Sequence, residues 1–331
     1  MVLPARSLDG ELAALQASIQ ARLERVEAAL AQAVGSADPF VQEAAGYLVR
    51  AGGKRFRPTL VLICGHLGDA EEPRLIGASV AIELTHLSTL YHDDVMDEAQ
   101  VRRGARSANA RYDNKVAILT GDYLFARASD VTADLGPEPT RVLARAIGRL
   151  VQGEIREVRG ALPGEDPVEH YLSVLRDKTG ALIAAACRLG AWLAGAPVDL
   201  VEALTEYGEH VGVAFQLGDD LLDITTETAV AGKEPGTDLR AGVRTLPVLY
   251  LLRRGGPPAE RLVRILETER DDDKAIAEAL ALLRRSPALA EARAVAQAEV
   301  DRAKSALASL PRGTPRLALE AIADQVFDRQ V

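Results

Sequence analysis

Residues 83–98 read ELTHLSTLYHDDVMDE, an apolar stretch of helix-forming residues that ends in a cluster of aspartates. Residues 209–224 read EHVGVAFQLGDDLLDI and repeat the same arrangement. On a helix, side chains four residues apart share a face, with Cβ atoms about 5–6 Å apart. The repeat therefore predicts two helices that present the same group of carboxylates, and it favours two helices that face each other across one site.

The two groups of aspartates predict metal binding. We call Asp93, Asp94 and Asp97 the first acidic cluster, and Asp219, Asp220 and Asp223 the second acidic cluster. Carboxylates packed this closely repel one another unless cations neutralise them, and hard oxygen ligands with room for water and phosphate suit Mg²⁺. A solvated acidic face is the plain alternative, but such a face needs no apolar helix leading to it. A general acid–base pair is a second alternative, and it predicts two single carboxylates rather than two triads.

Helical periodicity extends outward from these stretches over nearly the whole chain of 331 residues. The composition is rich in Ala, Leu, Arg and Glu, and only 4% of the residues are aromatic. An apolar stripe over residues 12–30 predicts a first helix with Asp9 as its N-cap. Further helices are predicted at 38–50, 55–68, 73–98, 113–134, 138–160, 167–176, 179–195, 198–224, 245–254, 258–269, 272–285, 288–309 and 315–328. No strand-length alternation and no linker appear, so we expect one all-α domain spanning 1–331.

Charge and cysteine usage exclude several classes of protein. The net charge of −9 argues against a nucleic-acid partner, which usually requires a basic surplus. Cys64 and Cys187 stand alone in apolar stretches, which is typical of buried, reduced thiols and favours a cytoplasmic location. The N-terminal residues do not resemble a signal peptide. The most apolar window, residues 180–196, is interrupted by Arg188 and is too short to cross a membrane.

Several cations accompany the acidic clusters and indicate diphosphate binding. Helix N-termini favour anions, and the guanidinium group of arginine matches phosphate oxygens. Each position has a plain alternative, namely an exposed basic turn or, for the histidine, an ordinary core residue. The candidates are Lys54 and Arg57 in GGKRFRP, His86 two turns before Asp93, Arg102 and Arg103, Lys178 beside Thr179, and Lys233 in GKEPGTDLRAG.

In their order and spacing, these motifs resemble the trans-isoprenyl (polyprenyl) diphosphate synthases. The matching runs are GGKRFRP, ELTHLSTLYHDDVMDEAQVRRG, ILTGDYLFARA, DKTGALIAAACRLGA, AFQLGDDLLDI and GKEPGTDLRAGVRTLPVL. The resemblance implies a single large bundle of antiparallel helices around a central cavity, usually as a homodimer. It also implies that the helix within residues 1–35 packs at the dimer interface or at the edge of the bundle.

The resemblance also implies a role for each candidate residue. The six aspartates of the two acidic clusters resemble the ligands of Mg²⁺, expected as three ions when substrate is bound, and Asp93, Asp94, Asp97 and Asp219 count among the catalytic residues. Arg102, Lys178 and Lys233 resemble the cations that hold the allylic diphosphate. We call Lys54, Arg57, His86 and Arg103 the basic set, because they resemble the isopentenyl diphosphate site. Thr179 and Gln216 match positions whose oxygens stabilise positive charge near the allylic carbon.

Product length is expected to depend on the helix that precedes Asp93. Thr89, Ser88 and Thr85 lie four, five and eight residues before it, and all are small. In the family, bulky aromatic residues at the four- and five-back positions stop growth early, so the resemblance implies a long product, of the kind used for quinone side chains. The floor of the tunnel must then lie elsewhere, and Phe125, Tyr123 and Leu124 are candidates, although ordinary core packing is the plain interpretation of each.

Some features leave alternatives open. Many family members carry a lysine where this chain has Val243, and the neighbouring Arg244 is a possible replacement. Geranylgeranyl diphosphate synthase is the close rival in product length. A terpene cyclase or head-to-head enzyme needs no isopentenyl site, so the basic set argues against it. An inactive partner subunit is expected to lose acidic residues, whereas this chain keeps all six. Release of an amphipathic product suggests transient membrane contact.

Overall fold

The computed structural model describes residues 5–226 and 235–328, and within them the chain is almost entirely helical. The all-α class predicted from the sequence is therefore confirmed. The elements are α1 (Ala5–Ala33), α2 (Pro39–Arg50), α3 (Phe56–Gly65), α4 (Arg74–Met96), β1 (Val101–Arg102), β2 (Ala105–Arg106), α5 (Ala108–Tyr112), α6 (Asn114–Leu135), α7 (Pro137–Arg159), α8 (Pro167–Leu175), a π-helix (Arg176–Gly180), α9 (Ala181–Leu193), α10 (Val198–Thr225), α11 (Thr237–Ala241), α12 (Leu246–Arg254), α13 (Gly256–Thr268), α14 (Asp273–Arg285), α15 (Pro287–Ala306), a 3₁₀-helix (Leu307–Ser309) and α16 (Thr314–Asp328).

The helix boundaries follow local sequence signals. Asp38 caps α2 by accepting from the backbone N–H groups of Phe40 and Val41, and Pro39 occupies the first turn, where its missing N–H is not needed. Asp166 caps α8 in the same way by accepting from Val168. The predicted cap at Asp9 is wrong, because α1 already begins at Ala5. The stretch before Asp9 reads PARSL, and only its proline disfavours the interior of a helix.

The chain divides into two compact units, each assembled from separate segments. Unit 1 comprises Met1–Gly148, Leu182–Gly208 and Ser309–Leu319, and unit 2 comprises Arg149–Ala181, Glu209–Ala308 and Glu320–Val331. The first acidic cluster and the basic set belong to unit 1. The second acidic cluster, Lys178, Thr179 and Gln216 belong to unit 2.

Unit 1 is organised around α4, which packs against α6, α3 and α1. Leu75, Ile82, Leu84 and Leu87 are fully buried along α4, and each such side chain contributes about 1.5–3 kcal/mol of transfer free energy. A helix that is apolar on every side needs neighbours on every side. This packing holds the end of α4, and therefore the first acidic cluster, in a fixed position within unit 1.

Unit 2 has a core built from α12, α13, α14 and α15, with buried side chains that include Val248, Leu262 and Leu283. A second apolar cluster joins Val168 and Leu172 of α8 to Leu217 and Leu221 of α10. Leu217 precedes the second acidic cluster on the same helix, and Leu221 lies within it. The apolar face of α10 is thereby anchored in unit 2.

A two-stranded hairpin follows the first acidic cluster and was not expected from the sequence. Val101 pairs with Arg106, and Arg102 pairs with Ala105, in an antiparallel ladder. The two connecting residues, Arg103 and Gly104, have φ values of 54° and 76°. Positive φ at both positions is the geometry of a type I′ turn. Strands of two residues are too short to show alternation, which explains why the pattern missed them.

No described helix is both long and apolar enough to traverse a lipid bilayer.

Candidate functional site

The first acidic cluster lies at the C-terminal end of α4, and its three carboxylates have different surroundings. Asp94 is fully buried, and its carboxylate accepts from Arg102 Nε at 2.7 Å and from the Ala108 backbone N–H at 3.3 Å. Asp97 is the exposed C-cap, and its N–H donates to the Asp93 carbonyl at 2.8 Å. Arg102, predicted to bind diphosphate, therefore also neutralises the central carboxylate of this cluster.

The hairpin turn aims Arg103 at the glycine turn that begins GGKRFRP. The Arg103 guanidinium donates to the carbonyls of Leu48, at 3.2 Å, and Gly52. A Cβ atom at position 53 would lie 3.1 Å from that guanidinium, so any larger residue there would require the Arg103 side chain to shift by a few tenths of an ångström. Arg103 adopts a left-handed backbone that favours glycine or asparagine, and such strain is often found at functional sites.

Arg57 adds to a concentration of positive charge in unit 1, and His86 lies within the field of these cations. Burial lowers the pKa of the Arg57 guanidinium to about 10, with the charge of Arg103 acting in the same direction. Burial lowers the pKa of His86 well below its usual range, and the charges of Arg57 and Arg103 lower it further. Arg57 Nε is buried without a hydrogen-bond partner among the described residues. Arginines whose charges lower the pKa of a neighbouring arginine and of a histidine indicate a place for an anion.

The remaining members of GGKRFRP have different environments. Lys54 is exposed. Arg55 is 5% exposed and forms ion pairs with Glu83 at 2.9 Å and with Glu27 of α1 at 2.5 Å. Arg55 is therefore occupied by a buried ion pair and is not available as a substrate ligand, in keeping with its omission from the predicted site. Glu83 was missed, although a charged residue within the apolar run VAIELTHL was a signal that pointed to a buried partner.

The second acidic cluster lies within α10, and neutral donors hold its central carboxylate. Asp220 is 6% exposed and accepts from the Tyr171 hydroxyl and, at 3.0 Å, from Gln216 Nε2. Burial raises the pKa of Asp220 to about 6, while the hydrogen bonds from Tyr171 and Gln216 oppose that rise. Asp223 accepts from the backbone N–H groups of Thr237 and Asp238, each at 3.1 Å. Tyr171 was not among the predicted site residues.

The carboxylates of the two clusters are suitable ligands for magnesium that binds together with a substrate. Among residues 5–226 and 235–328, no three His, Cys, Asp or Glu side chains are gathered so as to hold a metal ion by themselves. Magnesium usually keeps several waters and binds through one or two carboxylates together with substrate phosphates. Asp93 and Asp97 at the end of α4, and Asp219 and Asp223 on α10, provide carboxylates of that kind.

Lys178 and Thr179 lie in the π-helix, a feature frequent at functional sites. Lys178 Nζ contacts Glu157 at 2.5 Å and Glu154 at 3.0 Å. Burial lowers the pKa of Lys178, but the charges of these two glutamates outweigh burial and raise it above its usual range. The Thr179 hydroxyl is 3.3 Å from Gln216 Oε1, so the predicted pair of charge-stabilising oxygens does lie together.

Glycines allow the backbone of the π-helix to be approached from two sides. A Cβ atom at position 212 of α10 would lie 2.5 Å from the Gly180 Cα. A Cβ atom at position 153 of α7 would lie 2.7 Å from the Lys178 backbone nitrogen. Both distances are shorter than real Cβ contacts, so the positions of Lys178 and Thr179 depend on residues without side chains.

A cavity of about 530 Å³ lies in unit 2, next to Glu157, the partner of Lys178, and Tyr171, the partner of Asp220. Its polar lining comes from Glu157, His170, Tyr171 and Arg244, and Val243 and Leu249 contribute apolar surface. Arg244, the possible replacement for the family lysine, thus shares a cavity wall with Tyr171. Lys233 falls outside the described residues.

The predicted chain-length residues lie on the face of α4 that includes its contact with α6. Thr85, Ser88 and Thr89 are all buried, and the Ser88 hydroxyl donates to the Gly121 carbonyl of α6 at 2.8 Å. The ring of Phe125 is 5.9 Å from the ring of His92, which directly precedes the first acidic cluster. The described contact of Phe125 is therefore near the acidic end of α4, and its role as a tunnel floor stays a prediction.

Two aspartate clusters on helices, the group of Arg57, His86 and Arg103, and a π-helix with a charged lysine are typical of all-α enzymes that act on diphosphate substrates. The chain belongs to the polyprenyl synthetase family, whose family model matches residues 38–283. This confirms the prenyltransferase class expected from the motifs.

Relatives of known activity support the assignment over nearly the full chain. Nonaprenyl diphosphate synthase of Mycobacterium tuberculosis is 46% identical over 318 residues, which cover 96% of this chain and 95% of the relative. Among solved structures, decaprenyl diphosphate synthase of Rhodobacter capsulatus has a TM-score of 0.89 and 34% identity, covering 97% of this chain and 99% of that chain. Geranylgeranyl pyrophosphate synthase of Corynebacterium glutamicum, solved with calcium and isoprenyl diphosphate, has a TM-score of 0.85 and 42% identity, covering 95% and 97%.

Proposed function

We propose that the enzyme condenses isopentenyl diphosphate head-to-tail with an allylic diphosphate to make an all-trans polyprenyl diphosphate. The observation that carries this proposal is the pair of cations Arg57 and Arg103 beside His86, because a second diphosphate substrate requires cations apart from the metal-binding carboxylates. A cyclase has no need of such a group. The six aspartates of the two acidic clusters argue against an inactive partner subunit.

The reaction follows from the chemistry of the proposed residues. Lys178, Arg102 and Lys233 hold the allylic diphosphate as its C–O bond breaks, and Glu154 and Glu157 keep Lys178 charged. The two acidic clusters would hold Mg²⁺, proposed as three ions, which would supply positive charge to balance the charge that develops on the leaving group. The oxygens of Thr179 and Gln216 stabilise the allylic cation. The basic set orients isopentenyl diphosphate for attack, and the departing diphosphate takes the proton.

Incubation of the purified protein with Mg²⁺, isopentenyl diphosphate and farnesyl diphosphate tests this function directly. We expect a ladder of linear polyprenyl diphosphates by chromatography, and none when the metal is chelated. Release of a cyclic hydrocarbon from the allylic substrate alone would contradict the proposal, as would failure to incorporate isopentenyl diphosphate.

We propose a long-chain product, with geranylgeranyl diphosphate as the alternative. The small residues Thr85, Ser88 and Thr89 support long-chain synthesis, and so does the similarity to a nonaprenyl diphosphate synthase. The similarity to a geranylgeranyl pyrophosphate synthase supports the alternative.

Two substitutions of Ser88 test the control of product length. Ser88→Phe places a ring against α6 at Gly121 and is expected to shorten the product. Ser88→Ala removes the same hydrogen bond without adding bulk and is the matched control, expected to leave the length unchanged. Equal product lengths in both variants would mean that the chain does not grow along this face of α4.

We propose a homodimer that makes transient membrane contact when it releases product, in the cytoplasm. Exposed apolar side chains on α7 support a protein interface, because Val151, Ile155 and Val158 recur at helical spacing and are 44%, 61% and 82% exposed. Cys64 and Cys187 are free and buried, as reduced thiols would be. Light scattering should give the mass of a dimer, and Val158→Lys should shift it towards the monomer.

A further inference from the structure

A chain of hydrogen bonds in unit 2 links a tyrosine outside the predicted site to the proposed charge-stabilising oxygens. The Tyr171 hydroxyl donates to Asp220 Oδ2, and Gln216 Nε2 donates to Asp220 Oδ1 at 3.0 Å. The Thr179 hydroxyl then donates to Gln216 Oε1 at 3.3 Å. The four residues come from α8, the π-helix and α10, so the chain connects three elements of unit 2.

Hydrogen-bonding chemistry fixes the direction of this chain. An ionised carboxylate only accepts, so Gln216 must present its NH₂ group to Asp220 and its oxygen to Thr179. The Thr179 hydroxyl has a single proton, and that proton is used on Gln216. The lone pairs of the Thr179 oxygen are therefore the part of the hydroxyl left for a neighbouring positive charge.

The surroundings make the chain rigid. Asp220 and Thr179 are 6% and 7% exposed, so water has little access to replace a lost partner. The contact between Gly180 and Gly212 holds the π-helix against α10. Tyr171 also lines the cavity of unit 2. A buried polar chain of this kind is rigid only if every member has its partner.

We infer that Tyr171 is a positioning residue for the condensation, which acts through Asp220 and Gln216 to keep the Thr179 oxygen turned towards the allylic carbon. The inference rests on the proposed function, because it assigns Thr179 to the allylic cation. Tyr171 itself touches no reacting atom. Its hydroxyl holds one carboxylate oxygen of Asp220, which leaves the other oxygen to orient the Gln216 amide.

The substitution Tyr171→Phe removes one hydroxyl and preserves the ring. Asp220 is then free to turn, and the Gln216 amide loses its fixed orientation. We expect kcat to fall about ten- to a hundredfold, the range that misplacement of a reacting group produces. The KM values for both diphosphates should change by less than about threefold, because the cations that bind them are intact.

A double-mutant cycle with Gln216→Leu separates positioning from a loss of stability. Leucine is close to glutamine in size and ends the chain at Gln216. Tyr171→Phe in that background should lower kcat by less than about twofold, because residues that act through a shared partner are not additive. Tyr250→Phe is the matched control, since Tyr250 packs in the apolar core of unit 2 and takes no part in the chain. Its kcat should equal that of the wild type.

The outcomes separate this inference from the function on which it rests. A wild-type protein that makes no polyprenyl diphosphate overturns the proposed function. With an active wild type, a Tyr171→Phe variant of normal kcat overturns the role of Tyr171 alone. The same conclusion follows if Tyr171→Phe and Gln216→Leu are fully additive, or if Tyr171→Phe raises KM in proportion to its loss of kcat.

Discussion

The two acidic clusters have the same sequence pattern and opposite electrostatic surroundings. In the first acidic cluster, the buried central carboxylate, Asp94, is neutralised by a guanidinium from the hairpin. In the second, Asp220 is held by a phenol and an amide, neither of which carries charge. Two copies of the same motif can therefore differ in how their buried carboxylates are stabilised. With no cation among these partners, burial raises the pKa of Asp220, and the charges of Asp219 and Asp223 add to the rise.

The third aspartates differ as well. Asp97 ends α4 and is exposed, whereas Asp223 is followed by two more helical residues and accepts two backbone N–H groups at the start of α11. The first acidic cluster is thus open at its end, and the second is tied to the chain that follows it. We therefore expect the second and third aspartates of the two clusters to respond differently to substitution, and the first aspartates to respond alike.

The largest expected effect is common to both clusters. Asp93→Ala and Asp219→Ala should each reduce condensation by about a thousandfold or more, because each removes a proposed ligand of the ions that stabilise the leaving group. Turnover with isopentenyl and farnesyl diphosphates measures this loss. Circular dichroism should show a native helical signal in both variants. Near-normal turnover in either one would remove that cluster from the proposed mechanism.

Arg102→Ala tests whether a cation really distinguishes the first acidic cluster. It leaves the Asp94 carboxylate buried without its charged partner, which should cost about 3 kcal/mol of unfolding free energy. Tyr171→Phe removes only a neutral donor and should cost about 1.5 kcal/mol. Denaturant titration measures both. Adding Asp94→Asn to Arg102→Ala should restore part of the loss, and equal costs for the two single variants would contradict the contrast.

The pH dependence of stability should reveal the raised pKa of Asp220. Its pKa is raised from 3.8 to about 6 on folding, so the unfolded chain gives up this proton first. Stability should therefore fall as the pH rises through that window and level off above it, by about 3 kcal/mol, since each pH unit is worth about 1.4 kcal/mol. Denaturant titrations without divalent cations should show this fall in the wild type and not in Asp220→Asn. A variant with the same slope would assign the effect to another group.

Arg244→Ala should have the smallest effect. It tests whether Arg244 supplies a cation near the second acidic cluster. Arg244 is exposed and lines the cavity next to Tyr171. If it replaces the lysine absent at Val243, its loss should raise the KM for the allylic diphosphate about tenfold, or about 1.4 kcal/mol, and leave kcat nearly unchanged. Val243→Lys in the same background should recover part of the affinity. An unchanged KM would show that this substrate is bound without Arg244.

The sequence predicted what short-range patterns determine. Apolar periodicity located α10 within one residue, at 198–224 against Val198–Thr225, and the motif spacing identified the family. Contacts made across long separations left no such pattern. Tyr171 meets Asp220 across 49 positions, and the ion pair of Arg55 with Glu83 spans 28. The backbone of the π-helix is approached closely by Gly153 of α7 and by Gly212 of α10, which are contacts that its five residues of local sequence do not indicate.

The glycines around the π-helix have a consequence for how this enzyme tolerates change. Gly180 and Gly212 allow two backbones to touch next to Thr179, whose hydroxyl lies 3.3 Å from Gln216. One methyl group at position 212 would force the helices apart and widen that gap while every functional group remained present. Mutant libraries that keep only the chemically active residues constant would therefore contain inactive variants in which every active residue is present. In this region, the absence of a side chain at Gly212 is therefore as necessary as the functional groups themselves.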